Sequence, residues 1–292
     1  MLLIVGVIVV LASVAGGYLM HGGDLMALNQ PSELLIIGGA ALGSLVISTP
    51  LPLLKRVFGS IGLFFKADGP GKQDYLELLG MMYQTFRLTQ QSGVMALEAH
   101  CDDPQGSAIF SRYPKFLANH HAVDFFTDSV RLIIMGGVSP FDLEAMMDGD
   151  LEVHHHEALK PSQAMAKVGD ALPGMGIVAA VLGVVITMGA IDGPPSEIGH
   201  KVGAALVGTF LGILLCYGFV GPMATALEHR VDFEGRYLAT MKAGILALSK
   251  GLAPAIAVEF ARRSIAAELR PTFAETEQYC RAPQGEAHAE AA

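Results

Sequence analysis

VGDALPGMGIVAAVLGVVITMGAI, residues Val168–Ile191, carries one charged side chain, Asp170 near its start. At about 1.5 Å of rise per helical residue it is long enough to cross a hydrocarbon layer of about 30 Å. A strand is excluded for it, because a lone β-segment leaves backbone groups unpaired in lipid. Met1–Met20, Glu33–Leu54 and His200–Leu227 read the same way. The expected fold is therefore an all-α integral membrane protein with four transmembrane helices and a helical cytoplasmic domain. Its parts are an N-terminal hairpin (1–54), a cytoplasmic helical region (55–167), a second pair of spans (168–227), a cytoplasmic helical C-terminal region (228–280) and a small, polar tail (281–292) expected to be disordered.

The basic residues give the chain a sidedness. Ten follow the second stretch, from Lys55 to Lys167, and eight follow the fourth, from Arg230 to Arg281, leaving Lys201 alone elsewhere. By the positive-inside rule both blocks are cytoplasmic, so both termini are cytoplasmic and the links Met20–Pro31 and Asp192–Gly199 face outward. Ser13-Val14-Ala15 resembles a signal-peptidase site. The segment lacks the positively charged start of such a peptide, and its removal would leave an odd number of spans, so it is expected to stay as a span.

Composition supports this division. A hydrophobic fraction of 52% and 34 Gly in 292 residues suit closely packed membrane helices with soluble attachments. A net charge of −9 makes nucleic acid an unsuitable partner. Cys101, Cys216 and Cys280 lack CxxC or His-Cys spacing, so neither a metal nor a disulfide is expected. The His154-His155-His156 run cannot converge on one ion, because consecutive helical residues point about 100° apart; it reads as a solvated face, as does His120-His121.

Helical periodicity continues between the second and third spans. Leu76, Leu79, Tyr83 and Phe86 fall on one buried face, with Gln84, Arg87 and Gln91 opposite. Ser92-Gly93 ends that helix and Val94–His100 begins another. A third helix is expected from Pro114 to Met135, closed by Gly136-Gly137. Ser139-Pro140-Phe141-Asp142 has the cap, first-turn proline and acid of a fourth helix start. The fourth span is expected to continue as helix past Arg230, Arg236 and Lys242 until Gly251 and Pro254 break it. A short helix over Ala255–Leu269 then meets Pro271.

In the last two spans, small residues recur every fourth position: Ala179, Gly183 and Thr187, then Ala204, Gly208 and Gly212. Such edges let backbones approach closely. Thr209 lies mid-span beside that edge; its hydroxyl can bond a partner or its own helix carbonyl. No Asp, Glu, Lys, Arg or His falls near the middle of a span, Glu33 and Asp170 being placed at ends. A machine driven by protonation needs a titrating group within the membrane, so a second polypeptide is expected to bring it. Pro173 and Pro222 both fall in the cytoplasmic half, where each loosens its helix one turn earlier; they read as tolerated kinks or as a hinge.

Ordered segments then carry a resemblance over nearly the whole chain. They are Gly16-Gly17-Tyr18, Gln30-Pro31-Ser32-Glu33-Leu34-Leu35, Leu172-Pro173, Gly176-Ile177-Val178-Ala179-Ala180, Val207-Gly208-Thr209-Phe210-Leu211-Gly212, Tyr217-Gly218-Phe219 and Ala257-Val258-Glu259-Phe260. The chain resembles the MotA family of flagellar stator subunits, within the MotA/TolQ/ExbB superfamily of proton channels. The resemblance implies a bacterial inner-membrane ring of five such chains around two copies of MotB, whose aspartate carries the ion. It implies that ion flow turns the ring against the rotor protein FliG, with no cofactor. Thr209 and Ala180 would face the ion path with Tyr217 nearby, and Pro173 and Pro222 would couple protonation to movement. The rotor contacts would be Glu98 and Asp150. The family's basic residue is absent at Gln90, and Arg87, nearly one turn earlier, is expected to replace it. The fourth-span motif is closer to proton-driven than to sodium-driven members, so the implied ion is H+.

An ExbB- or TolQ-like energy-transducing subunit has three spans, and the N-terminal hairpin here argues against it. A passive membrane scaffold would use the small-residue edges for packing alone. An enzyme is not expected, since no nucleophile with its base, metal cluster or phosphate loop is present.

Overall fold

The computed structural model describes residues 2–65, 69–189 and 191–281, except for the side chains of Leu2, Leu63 and Phe65. The described residues are helical and divide into two compact units: residues 1–68 with 158–230, and residues 69–157 with 231–292. Four helices are long and apolar enough to cross a membrane.

The first unit begins with α1 (Leu2–Met20), apolar on all sides, as suits a helix surrounded by lipid. A 3₁₀ turn at Leu25–Leu28, capped by Asp24, leads to α2 (Pro31–Ser48). The second span was expected to reach Leu54, but it stops at Ser48. Thr49 precedes a proline and is extended (φ −126°, ψ 122°), and α3 (Leu51–Ile61) starts afresh behind Pro50. The remaining spans lie in α8 (Pro140–Met188) and α9 (Pro195–Leu215). From Cys216 to Val220 the chain makes a π-helical turn, in which the N–H of Gly221 donates to the Cys216 carbonyl, and α10 (Gly221–Ser249) follows.

The second unit is built on α4 (Lys72–Ser92), with α5 (Glu98–Asp102), α6 (Pro114–Ala118), α7 (His120–Met135), α11 (Pro254–Ser264) and α12 (Phe273–Arg281). Its core holds Phe110, Phe116 and Phe126 edge to face at 5.4–5.9 Å. Helix α4 is packed on several sides: Leu79 and Phe86 are buried as expected, with Tyr75, Leu78 and Met82. Leu76 and Tyr83 are only partly covered. Gly93 (φ +81°), Gly136 (φ +73°) and Gly251 (φ +76°) terminate their helices in conformations that L residues rarely adopt.

Several boundaries depart from expectation. The helix from Pro114 to Met135 is broken at Asn119, whose carboxamide oxygen accepts from the Ala122 N–H (3.2 Å) and so caps α7. The helix capped by Ser139, whose Oγ accepts from the Asp142 N–H, does not end before the third span. It runs 49 residues through Pro161 and Pro173. The helix at Ala255 stops at Ser264 rather than Leu269, and the segment after Pro271 forms α12. His154 is not solvated: its ring is half-buried edge-on to His121 at 4.8 Å. The tail expected to be disordered lies outside the described residues beyond Arg281.

Glu259 organises the C-terminal part. Its carboxylate accepts from Arg262 (2.7 and 2.8 Å) and from Arg263 (2.8 Å), while Arg262 also donates to the Pro271 carbonyl (2.9 Å). The Arg262 and Arg263 hydrogen bonds hold the Glu259 carboxyl at about 2, below its ordinary 4.5. A lowered folded-state pKa contributes stability that is full above the unfolded value and is lost as pH falls toward the folded one. Glu259→Gln is therefore expected to destabilise the detergent-solubilised protein at pH 7 by about 1–2 kcal/mol, the scale of partly exposed charge-assisted bonds, read as a lower thermal midpoint. Its effect shrinks as pH falls from about 5 to about 2.

Candidate functional site

The site grows from the way α8 meets α9. A Cβ built on Gly176 would lie 2.9 Å from the Gly208 carbonyl oxygen, 3.2 Å from Gly212 Cα and 3.3 Å from Thr209 Cα. One on Gly212 would lie 2.6 Å from the Leu172 carbonyl oxygen and 2.9 Å from Gly176 Cα, and one on Gly183 would lie 2.7 Å from Ala205 Cβ. The two helices are thus in backbone-to-backbone contact along a seam of small residues. The sequence pattern located this seam but misplaced one member. Ala205, not Ala204, meets Gly183, because a ridge of alternating threes and fours follows the 3.6-residue turn more closely than strict fours. Thr187 caps the seam by donating to the Gly183 carbonyl (2.7 Å).

Thr209 and Ala180 lie on the two facing helices of this seam. Ala180 N lies 3.4 Å from a Cβ built on Gly208, one residue before Thr209. Thr187 and Thr225 each donate their hydroxyl to the carbonyl four residues back. Half-buried Thr209 makes no such bond among the described residues. Of the two options open to that hydroxyl, the structure leaves it free for another group.

Tyr217 lies eight residues on, in the π turn, and is 73% exposed. It lines a cavity of about 670 Å³ with Gly169, Asp170, Cys216 and Pro222. Pro222 cannot donate to the Gly218 carbonyl, and the widened turn before it makes room for the proline ring. Pro173 likewise leaves the Gly169 carbonyl without its usual donor, and Gly169 faces the same turn, 3.5 Å from Val220 Cγ1 by its built Cβ. The carbonyl freed by Pro173 thus belongs to a residue packed beside the turn that precedes Pro222. The sequence reads kinks or a hinge at the two prolines, but nothing in it names the π turn between Thr209 and Pro222.

In the second unit, Arg87 and Gln90 are exposed on α4, Glu98 is exposed at the start of α5 beyond the Gly93 turn, and Asp150 is exposed on α8. Among the described residues, neither Arg87, Glu98 nor Asp150 forms an ion pair within the chain.

One side chain was misjudged. Glu33, expected at the edge of the second span, is 6% exposed, and its Oε2 is buried without a hydrogen-bond partner among the described residues. A Cβ on Gly208 would lie 2.7 Å from that oxygen. The first turn of α2 therefore reaches the middle of α9, a depth that span counting along one helix does not reveal.

Comparison with known proteins covers nearly the whole chain. Residues 4–93 match the family described as "Motility protein A N-terminal", and residues 118–239 match the "MotA/TolQ/ExbB proton channel family". Motility protein A of Escherichia coli is 43% identical over 97% of this chain and 96% of its own length. Chemotaxis protein LafT of Vibrio parahaemolyticus is 36% identical over 96% of this chain and 98% of its own. Among solved structures, that of C. jejuni MotAB matches with a TM-score of 0.75 at 17% identity, covering 91% of this chain and 96% of that one. The flagellar MotAB stator complex of Bacillus subtilis matches with a TM-score of 0.68 at 23% identity, covering 88% and 92%.

Proposed function

Since this chain belongs to the motility protein A family of flagellar stator subunits, within the MotA/TolQ/ExbB proton channel family, we propose that it forms, with a MotB-type partner, a proton channel whose ion flow turns a ring of such chains. The observation that supports this reading is the seam of α8 and α9, the helices that carry Ala180 and Thr209, with the Thr209 hydroxyl making no hydrogen bond among the described residues. A hydroxyl in that position suits a hydrogen bond to an ion-carrying carboxyl brought by the partner. Tyr217 follows on the exit side, and five copies around two partner chains supply the ring. The subunit is not an enzyme; its work is conformational.

The scale is adequate, since a unit charge crossing 100 mV releases about 2.3 kcal/mol. Pro173, Pro222 and the π turn are the hinge at which protonation becomes movement. Arg87, Glu98 and Asp150 are the charges that meet the rotor protein FliG. Helices α8 and α10, which contribute residues to both units, carry the motion. The membrane is the bacterial inner membrane, with both termini in the cytoplasm. The N-terminal hairpin favours this reading over an ExbB- or TolQ-like subunit.

The test is complementation. A strain lacking both its own stator proteins is given this chain with its partner, and swimming speed is measured across sodium concentrations at fixed pH. Restored swimming that does not depend on sodium and stops with a protonophore is the expected result. Sodium-dependent speed overturns the proton assignment, and no swimming despite normal membrane levels supports a passive scaffold instead.

A further inference from the structure

We propose that Glu33 is itself a proton-binding site of the stator wall, one that loads and releases protons beside Gly208 of the seam. This rests on the channel reading above and adds a titrating group on this chain to one brought by the partner.

The usual duty of an acid at this point of a helix is to cap it. Glu33 is the third residue of α2, from which a capping carboxylate reaches back to the N–H of the N-cap residue. That N–H, on Gln30, donates instead to the Leu28 carbonyl (3.0 Å), and the cap of α2 has no side-chain hydrogen bond. The carboxyl turns inward. It lies against Gly208, whose missing side chain makes the space, with Ala179 Cβ and Ala180 N within 3.2 and 3.4 Å of the Cβ that Gly208 lacks.

Among the described residues, no charged group is hydrogen-bonded to the buried Glu33 Oε2. Residues 171–188 of α8 carry no titratable side chain. On α9 the candidates are His200 and Lys201, about two turns before Gly208, and Lys201 is paired with Glu197 at 2.8 Å. On the link, Asp24 caps the 3₁₀ turn, and His21 at the end of α1 bonds the Gly17 carbonyl at 2.9 Å. None of them is hydrogen-bonded to the Glu33 Oε2. An ionised carboxylate buried without donors is strongly disfavoured, and a proton removes that penalty. The step is a plain protonation: a lone pair on the carboxylate oxygen takes H+ to form an O–H bond, and release restores the anion.

A cavity of about 620 Å³, lined by Val14, Tyr18, His21, Leu28, Val207 and Phe210, borders this part of the unit and reaches the residue next to Gly208. On this proposal it gives protons from the side of the interhelical links a route toward the carboxyl.

The test uses the full complex with its partner, purified and reconstituted in liposomes. Infrared difference spectra are recorded during a pH titration of the wild type, Glu33→Gln and Glu33→Asp, together with proton flux. A protonated-carboxyl C=O band that titrates in the wild type, is lost in Glu33→Gln and moves in frequency in Glu33→Asp is the expected result. Flux in Glu33→Gln is expected to fall on the order of a hundredfold, the low end for a positioned proton-transferring group. If Glu33→Gln does not accumulate, the frequency shift in Glu33→Asp still assigns the band. Spectra and flux identical in all three proteins overturn the proposal while leaving the channel intact; no flux even in the wild type would instead overturn the channel reading.

Discussion

Gly212→Val is expected to abolish swimming and to remove the chain from the assembled stator, while Gly203→Ala leaves both unchanged. The difference lies in what each new side chain meets. At Gly212 the first added carbon would fall 2.6 Å from the Leu172 carbonyl oxygen and 2.9 Å from Gly176 Cα, both backbone atoms of a continuous helix. No rotamer change relieves such a clash. Overpacking of an adaptable core costs about 1–3 kcal/mol, and here the only relief is to push α8 and α9 apart. At Gly203 a Cβ meets nothing within 4 Å. Membrane immunoblots, co-purification with the partner and motility in soft agar measure the three levels separately. Normal assembly of Gly212→Val would show that the seam is not a close backbone contact.

Reversing charge at Arg87 is the second large effect. Arg87→Glu is expected to bring swimming to near zero while leaving membrane level, partner association and proton flux as in the wild type. Arg87 is exposed on α4 and forms no ion pair within the chain among the described residues, so its replacement disturbs no packing. A single exposed ion pair is worth only about 0.2–1 kcal/mol. Placing like charges opposite each other across an interface costs several kcal/mol, which is why reversal, rather than neutralisation, is the informative change. If Arg87 stands in for the basic residue missing at Gln90, the double variant Arg87→Gln with Gln90→Arg recovers much of the speed. Unaltered swimming and stator recruitment in Arg87→Glu would remove Arg87 from the rotor contact.

The spans were readable because lipid imposes a coarse requirement: a long run without charge. The terminators at Gly93, Gly136 and Gly251 were readable because each adopts a positive φ that suits glycine. What escaped depends on neighbours that are distant in sequence. Asn119 breaks a helix whose apolar period continues across it, and the cap is visible only once its carboxamide meets Ala122. The third span was expected as a helix of its own, yet α8 passes through Pro161 and Pro173 and joins it to the helix begun at Ser139, since packing overrides local preference. The choice of Ala205 over Ala204 turns on helix phase. The burial of Glu33 depends on how far along α9 the start of α2 falls. His154 looked solvated because His121 lies more than thirty residues away in sequence.

The seam also limits which motions are open to the membrane unit. Leu172 and Gly176 lock against Gly212, Gly176 against Gly208, and Gly183 against Ala205, so axial register is fixed at successive levels by main chain rather than by side chains that could change rotamer. Sliding one helix past the other by even part of a turn would drive carbonyls into Cα atoms. The pair α8–α9 has therefore lost its shear coordinate and moves as one plank over this length. On the proposed channel reading, a stroke would then be a rotation or a bend, and the π turn from Cys216 to Val220, just before Pro222, is the joint proposed for it.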